Sequence, residues 1–158
     1  MTTLVTLRSS VTAGLAVAGR QWVRLVEHTL ESYDVPGSCA LALVLIGRTP
    51  GIHQVTLAEQ LGVTGPTLVR QLDQLSAAGL VRREPDACNR RANTLWLSDA
   101  GQALSSQLEA RLNATRQKVL KTNTREELLA VQRVQQTIAL AFAELEADRA
   151  AQGAEESP

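Results

Sequence analysis

Residues 56–97 read TLAEQLGVTGPTLVRQLDQLSAAGLVRREPDACNRRANTLWL, and the fold turns on how this stretch divides. Thr56 followed by Glu59 has the spacing of a capping box, so a short helix is expected over Leu57 to Leu61, stopped at Gly62. Thr64 opens a second helix with Pro66 in its first turn, where a missing N–H is harmless, and this helix should run to about Ala78. After Gly79 the period changes: Leu80 to Glu84 and Thr94 to Leu97 read as two strands, with the polar loop 85–93 between them. Helix, short turn, helix and hairpin follow one another within 56–97.

The second helix is polarised. Leu68, Leu72 and Leu75 form a core stripe, while Thr67, Arg70, Gln71 and Gln74 form a polar one at helical spacing. Those side chains suit the major groove: Arg forks onto guanine, Gln onto adenine, and the Thr methyl meets the thymine methyl. The same residues would also make an ordinary solvated face. The hairpin favours the first reading, because Arg90 and Arg91 at its tip can enter a neighbouring minor groove.

Working outward, the flanks are helical. Leu4, Leu7, Val11, Leu15, Ala18, Trp22 and Leu25 recur at spacings of three and four, and a first helix is expected from about Arg8 to Tyr33. Residues 11–19, VTAGLAVAG, loosely resemble a secretory signal, but the run is short, is broken by Thr12, Gly14 and Gly19, and continues the helical stripe. A second helix, capped by Ser38, covers Cys39 to Ile46; being apolar all round, it should be buried. Ser98 caps a helix with Leu104, Leu108, Leu112, Thr115 and Val119 on one face. A capping box of Thr124 and Glu127 starts a last helix striped by Leu128, Val131, Val134, Ile138, Ala141 and Leu145. Residues 151–158, AQGAEESP, are expected to be a disordered tail.

Composition narrows the function. The chain has 158 residues, 16 basic and 16 acidic, with 44% hydrophobic and 3% aromatic residues. So few aromatics argue against serial base stacking on single strands. Two cysteines make no disulfide framework, two histidines leave little for a metal cage, and no apolar run is long enough for a membrane span. No nucleophile–base set or phosphate loop is present, so neither an enzyme nor a cofactor is expected. The neutral total hides an asymmetry. Residues 64–97 hold five basic residues against three acidic, whereas 124–158 hold three basic against seven acidic. A localised contact with nucleic acid is therefore compatible with zero net charge.

The run from Leu57 to Gly101 resembles the winged-helix core of the MarR transcriptional regulators, and is particularly similar to the SlyA-like subgroup around Leu68-Val69-Arg70 and Leu72-Asp73-Gln74-Leu75. Where that family's wing usually reads Asp-Arg-Arg, this chain has Asn89-Arg90-Arg91, and the Leu97-Ser98 and Gly101 positions match. The resemblance spans about residues 7–148. It implies a mainly α fold with a small β-hairpin wing: one MarR-type domain over 1–150, with a winged helix–turn–helix core at 56–97 and dimerisation helices at 7–33 and 98–148.

It also implies a cytoplasmic homodimer that binds a pseudo-palindromic operator in double-stranded DNA through Thr64, Thr67, Arg70, Gln71, Gln74, Arg90 and Arg91. The stripes at 4–25, 104–119 and 128–145 are independently too apolar for a monomer's surface, the other reading being a helical bundle within one chain. Relatives are often repressors released by small phenolic or aromatic carboxylate effectors. The matching spacing of Arg20, Trp22 and His28 makes them the effector-binding candidates; alternatively Trp22 is core, Arg20 an intersubunit ion-pair partner and His28 a surface residue. A second mechanism is redox sensing at Cys88 on the basic wing, and a third reading is a protein-interaction module without DNA binding.

Overall fold

A computed structural model describes residues 3–33, 35, 37–86 and 93–155. The chain divides into two compact units, residues 1–116 and 117–158.

The first unit is built around α2 (Gly37–Arg48). Cys39, Ala40, Ala42, Leu43, Val44 and Ile46 of this helix are all buried, as its all-round apolarity requires. It is packed by α1 (Leu4–Leu30), α3 (Gln54–Leu61), α4 (Gly65–Ala77) and strand β3 (Asn93–Leu97). Val26 and Leu30 of α1, Leu57 of α3, and Leu68, Leu72 and Leu75 of α4 complete the core around it, with Leu108 and Leu112 of α5 (Asp99–Val119). α1 starts earlier than expected because Thr3 caps it, its hydroxyl accepting from the Thr6 N–H at 3.2 Å.

The sheet has three strands where two were expected. β1 (Ile52–His53) and β2 (Val81–Pro85) both pair antiparallel with the central β3, in the order β1-β3-β2. Ile52 lies opposite Leu95, while Val81 and Arg83 lie opposite Leu97 and Leu95. Two residues carry no alternation, so nothing in the sequence announces β1. Trp96 of β3 donates its indole N–H to Thr94 Oγ1 at 3.1 Å and lies so close to Gly51 that an added Cβ would stand 2.9 Å from its ring.

Two expectations are corrected here. The Thr56–Glu59 capping box does not form: α3 begins at Gln54 with His53 as N-cap and no side-chain cap, which leaves Thr56 inside the first turn. Residues 151–158 are not wholly a disordered tail, since α6 (Arg125–Glu155) continues to Glu155; Ala150, Ala151 and Gln152 are strong helix formers and extend the preceding turns. Residues 156–158 lie outside the described residues.

Ser38 is not a cap either, because α2 already begins at Gly37, whereas three other caps follow the sequence. Thr64 accepts from the Thr67 N–H at 3.4 Å. In the second unit Glu127 accepts from the Thr124 N–H at 2.8 Å, and Thr124 accepts from the Glu127 N–H at 3.2 Å. Ser98 makes a joint: its hydroxyl donates to the Gly79 carbonyl at 2.6 Å and accepts from the Gly101 N–H at 3.0 Å. Gly101 then packs so tightly that an added Cβ would collide with the Leu80 carbonyl.

Between α2 and α5 lies an open cavity of about 360 Å³, lined by Arg48, Ser105, Glu109 and Asn113 among others. Glu109 accepts from Arg48 at 2.7 Å and from Arg116 at 2.9 Å. Burial alone would raise its pKa, but the bonds and charges of the two guanidinium groups outweigh burial and hold the carboxyl below its usual range. No helix is long and apolar enough to cross a membrane among the described residues.

Candidate nucleic-acid interface

α4 carries most of the candidate contact residues, and three features set its pose. Gly62 turns the chain from α3 in the left-handed region, φ 66°, where a Cβ is disfavoured. Thr64 caps the helix start and Pro66 follows in the first turn. The third feature comes from the sheet. Arg83, two residues after buried Val81 and therefore on the same face of β2, reaches α4. Its Nη2 donates to Asp73 Oδ1 at 2.6 Å and to the Val69 carbonyl at 3.4 Å. Its Nε is buried with no partner among the described residues.

Leu68, Gln71, Leu72 and Leu75 are the buried residues of α4. This corrects the placement of Gln71, which is only 8% exposed and whose Oε1 has no hydrogen-bond partner among the described residues. The spacing 68, 71, 72, 75 is itself a core-facing pattern, and that was the legible signal. With Gln71 inside, the outward face of the helix swings round to Pro66, Val69, Arg70 and Asp73, all exposed. Val69 and Asp73 were absent from the sequence-derived set. Val69 escaped notice because an apolar residue on a helix is ordinarily assigned to the core.

The other candidates fare differently. Arg70 is exposed and carries no ion pair among the described residues. Thr64 and Thr67 are exposed at the helix start, with their hydroxyls bonded to each other at 2.9 Å. Gln74 is exposed, but its Oε1 accepts from the buried Cys39 thiol at 3.2 Å, which draws it toward α2. Arg90 and Arg91 lie outside the described residues, as does Cys88. The basic excess of this region is partly spent internally: Arg82 pairs with Glu84 at 3.0 Å and Arg83 with Asp73. Where β2 runs into the loop of the hairpin, His53 of β1 stands 3.3 Å from the Asp86 carboxylate.

Arg20, Trp22 and His28 are not brought together. All three belong to α1, where geometry turns Arg20 and Trp22 about 160° apart. Trp22 packs against the core cluster, Arg20 is exposed, and His28 is exposed and 3.1 Å from Glu31.

The comparisons with known proteins agree with this architecture. A family model described as the MarR family matches residues 33–92. The solved structure of the transcriptional regulator PA3341 is 30% identical, over 84% of this chain and 98% of that one, with a TM-score of 0.76. A MarR transcriptional regulator from Methanosarcina mazei Go1 is 17% identical over 85% of this chain and 98% of that one, with a TM-score of 0.69. FabT of Streptococcus pneumoniae, solved in complex with DNA, is 18% identical over 87% of this chain and 99% of that one, with a TM-score of 0.63. A helix–turn–helix packed on a three-stranded sheet, the family match over residues 33–92 and a regulator 30% identical along nearly its whole length converge: the chain belongs to the MarR family of transcriptional regulators, which are not enzymes.

Proposed function

We propose that this protein is a homodimeric, sequence-specific DNA-binding regulator, a repressor that leaves its operator when a small aromatic carboxylate or phenolic compound binds. The observation that carries the DNA reading is Arg70, an exposed guanidinium without an ion pair among the described residues, on the outward face of a helix narrow enough for the major groove. Thr64 and Thr67 at the helix start suit phosphate contact, and Arg90 and Arg91 supply cations to the wing. That a family member has been solved with DNA supports the same partner.

The dimer reading is supported by apolar side chains that one protomer leaves in water. On α1 these include Leu4, Val5, Leu7, Val11 and Val17, and on α6 Leu128, Val131, Ile138, Leu140, Phe142 and Leu145. A two-fold pair would place its α4 helices one duplex turn apart, so the operator is a pseudo-palindrome. The effector reading rests on exposed Arg20, which can take a carboxylate bidentately, with a second protomer completing the walls.

Mobility shift on the DNA flanking the gene tests the proposal. Wild-type binding should fall steeply with salt. Arg70→Ala should lose roughly tenfold or more and relax preference at one base pair, while Arg90→Ala should weaken all sequences alike. Binding that is unaltered in both variants, or absent altogether as in a protein-interaction module, would refute the DNA reading. An aromatic acid panel that neither releases DNA nor raises the Tm would refute the effector.

A further inference from the structure

We propose that Val69, with Pro66 one turn before it, is a specificity-determining residue that reads the 5-methyl group of a pyrimidine within one base step of the guanine contacted by Arg70. The proposal rests on the DNA reading above and names what that surface selects. Every leucine of α4 is buried to within 1% of complete, whereas Val69 is 37% exposed. A β-branched residue is a mediocre helix former, so helix propensity does not explain a valine there. Its neighbours on the outward face are Pro66, Arg70 and Asp73, which makes the patch apolar at its N-terminal end and cationic beside it.

Arg83 sharpens the patch. By holding the Asp73 carboxylate at 2.6 Å it offsets the one acidic charge on this face, and its bond to the Val69 carbonyl fixes the backbone that carries the valine. What α4 leaves for a duplex, among the described residues, is one guanidinium without an ion pair beside a methyl-bearing surface. In the major groove a guanine offers O6 and N7 to the former, and the 5-methyl group of thymine or 5-methylcytosine is the matching contact for the latter. Consecutive helix residues are about 1.5 Å apart along the axis, so the two side chains address the same or the adjoining base step.

The test uses duplexes selected by the full-length wild-type protein from a random-sequence pool. Each thymine of the selected site is replaced singly by deoxyuridine, which removes only the methyl group. Wild-type affinity should fall about fourfold, the loss for one buried methyl, at one position in each half-site, next to the G·C pair whose loss Arg70→Ala ignores. Val69→Ala should bind the thymine and deoxyuridine duplexes equally. Alanine favours helix, so this exposed substitution keeps the fold. If the selected position is a cytosine, 5-methylation should tighten wild type about fourfold and leave Val69→Ala unmoved. Equal binding of wild type to every methylated and unmethylated duplex, with the Arg70-dependent guanine retained, overturns the methyl reading and leaves DNA recognition standing. Failure to select any duplex overturns both.

Discussion

Asp73 would repel phosphates if its carboxylate faced a duplex alone. The structure answers with Arg83, a cation that an inventory of charges would have assigned to the DNA and that spends its Nη2 on the protein instead. An exposed pair of this kind adds little to stability, so its value lies in what α4 presents. Gln71 is the opposite case, a polar side chain with an unsatisfied oxygen inside the core. A buried acceptor without a partner costs about 1–3 kcal/mol, so Gln71→Leu should stabilise the protein by about 1 kcal/mol and leave operator affinity within twofold. Thermal unfolding and a mobility shift check the pair of outcomes. A base-reading Gln71 would give the reverse: unchanged Tm and lost binding.

At the scale of elements, the joint between the α4–β2 turn and α5 is set by one missing side chain. Gly101 brings the first turn of α5 against the Leu80 backbone, and a Cβ there meets a carbonyl that cannot swing aside. Gly101→Ala should therefore cost roughly 1–3 kcal/mol, read as a lowered denaturant midpoint with unchanged slope. Much of this layer was legible beforehand, because local chemistry determines it. Thr64 with Pro66 marked the start of α4, and Thr124 with Glu127 made their box. The Thr56 box failed although its spacing was right, because α3 starts earlier, at Gln54 beside β1. That strand exists only through its pairing with β3, a long-range contact that two residues cannot encode. The candidate site was half legible for the same reason. The outward Arg70 and the inward Gln71 both follow from helical period, whereas the roles of Val69 and Asp73 depend on where β2 presses against α4.

For the whole molecule, the α6 stripe and the N-terminal part of the α1 stripe stay exposed within one protomer. Leu4 at 60% on α1 and Leu145 at 48% on α6 are clear cases. Surfaces this apolar mark association, and a dimer that forms only when folded makes Tm depend on protein concentration. Sedimentation should give twice the chain mass of 17.0 kDa, and Ile138→Glu should shift it toward monomer with a lower, concentration-independent Tm. A monomeric wild type with a fixed Tm would refute the dimer.

The two tryptophans fall at separate stations of the first unit, Trp22 on α1 against the core and Trp96 on the central strand of the wing, stacked close over Gly51. The protein thus carries its own pair of optical reporters. With Trp22 replaced by Phe, the remaining indole emission is a signal from the wing alone, so docking on DNA can be timed by stopped flow without an attached dye. With Trp96 replaced instead, the same light follows α1, and whether a change at α1 precedes or follows one at the wing becomes a matter of comparing two rate constants.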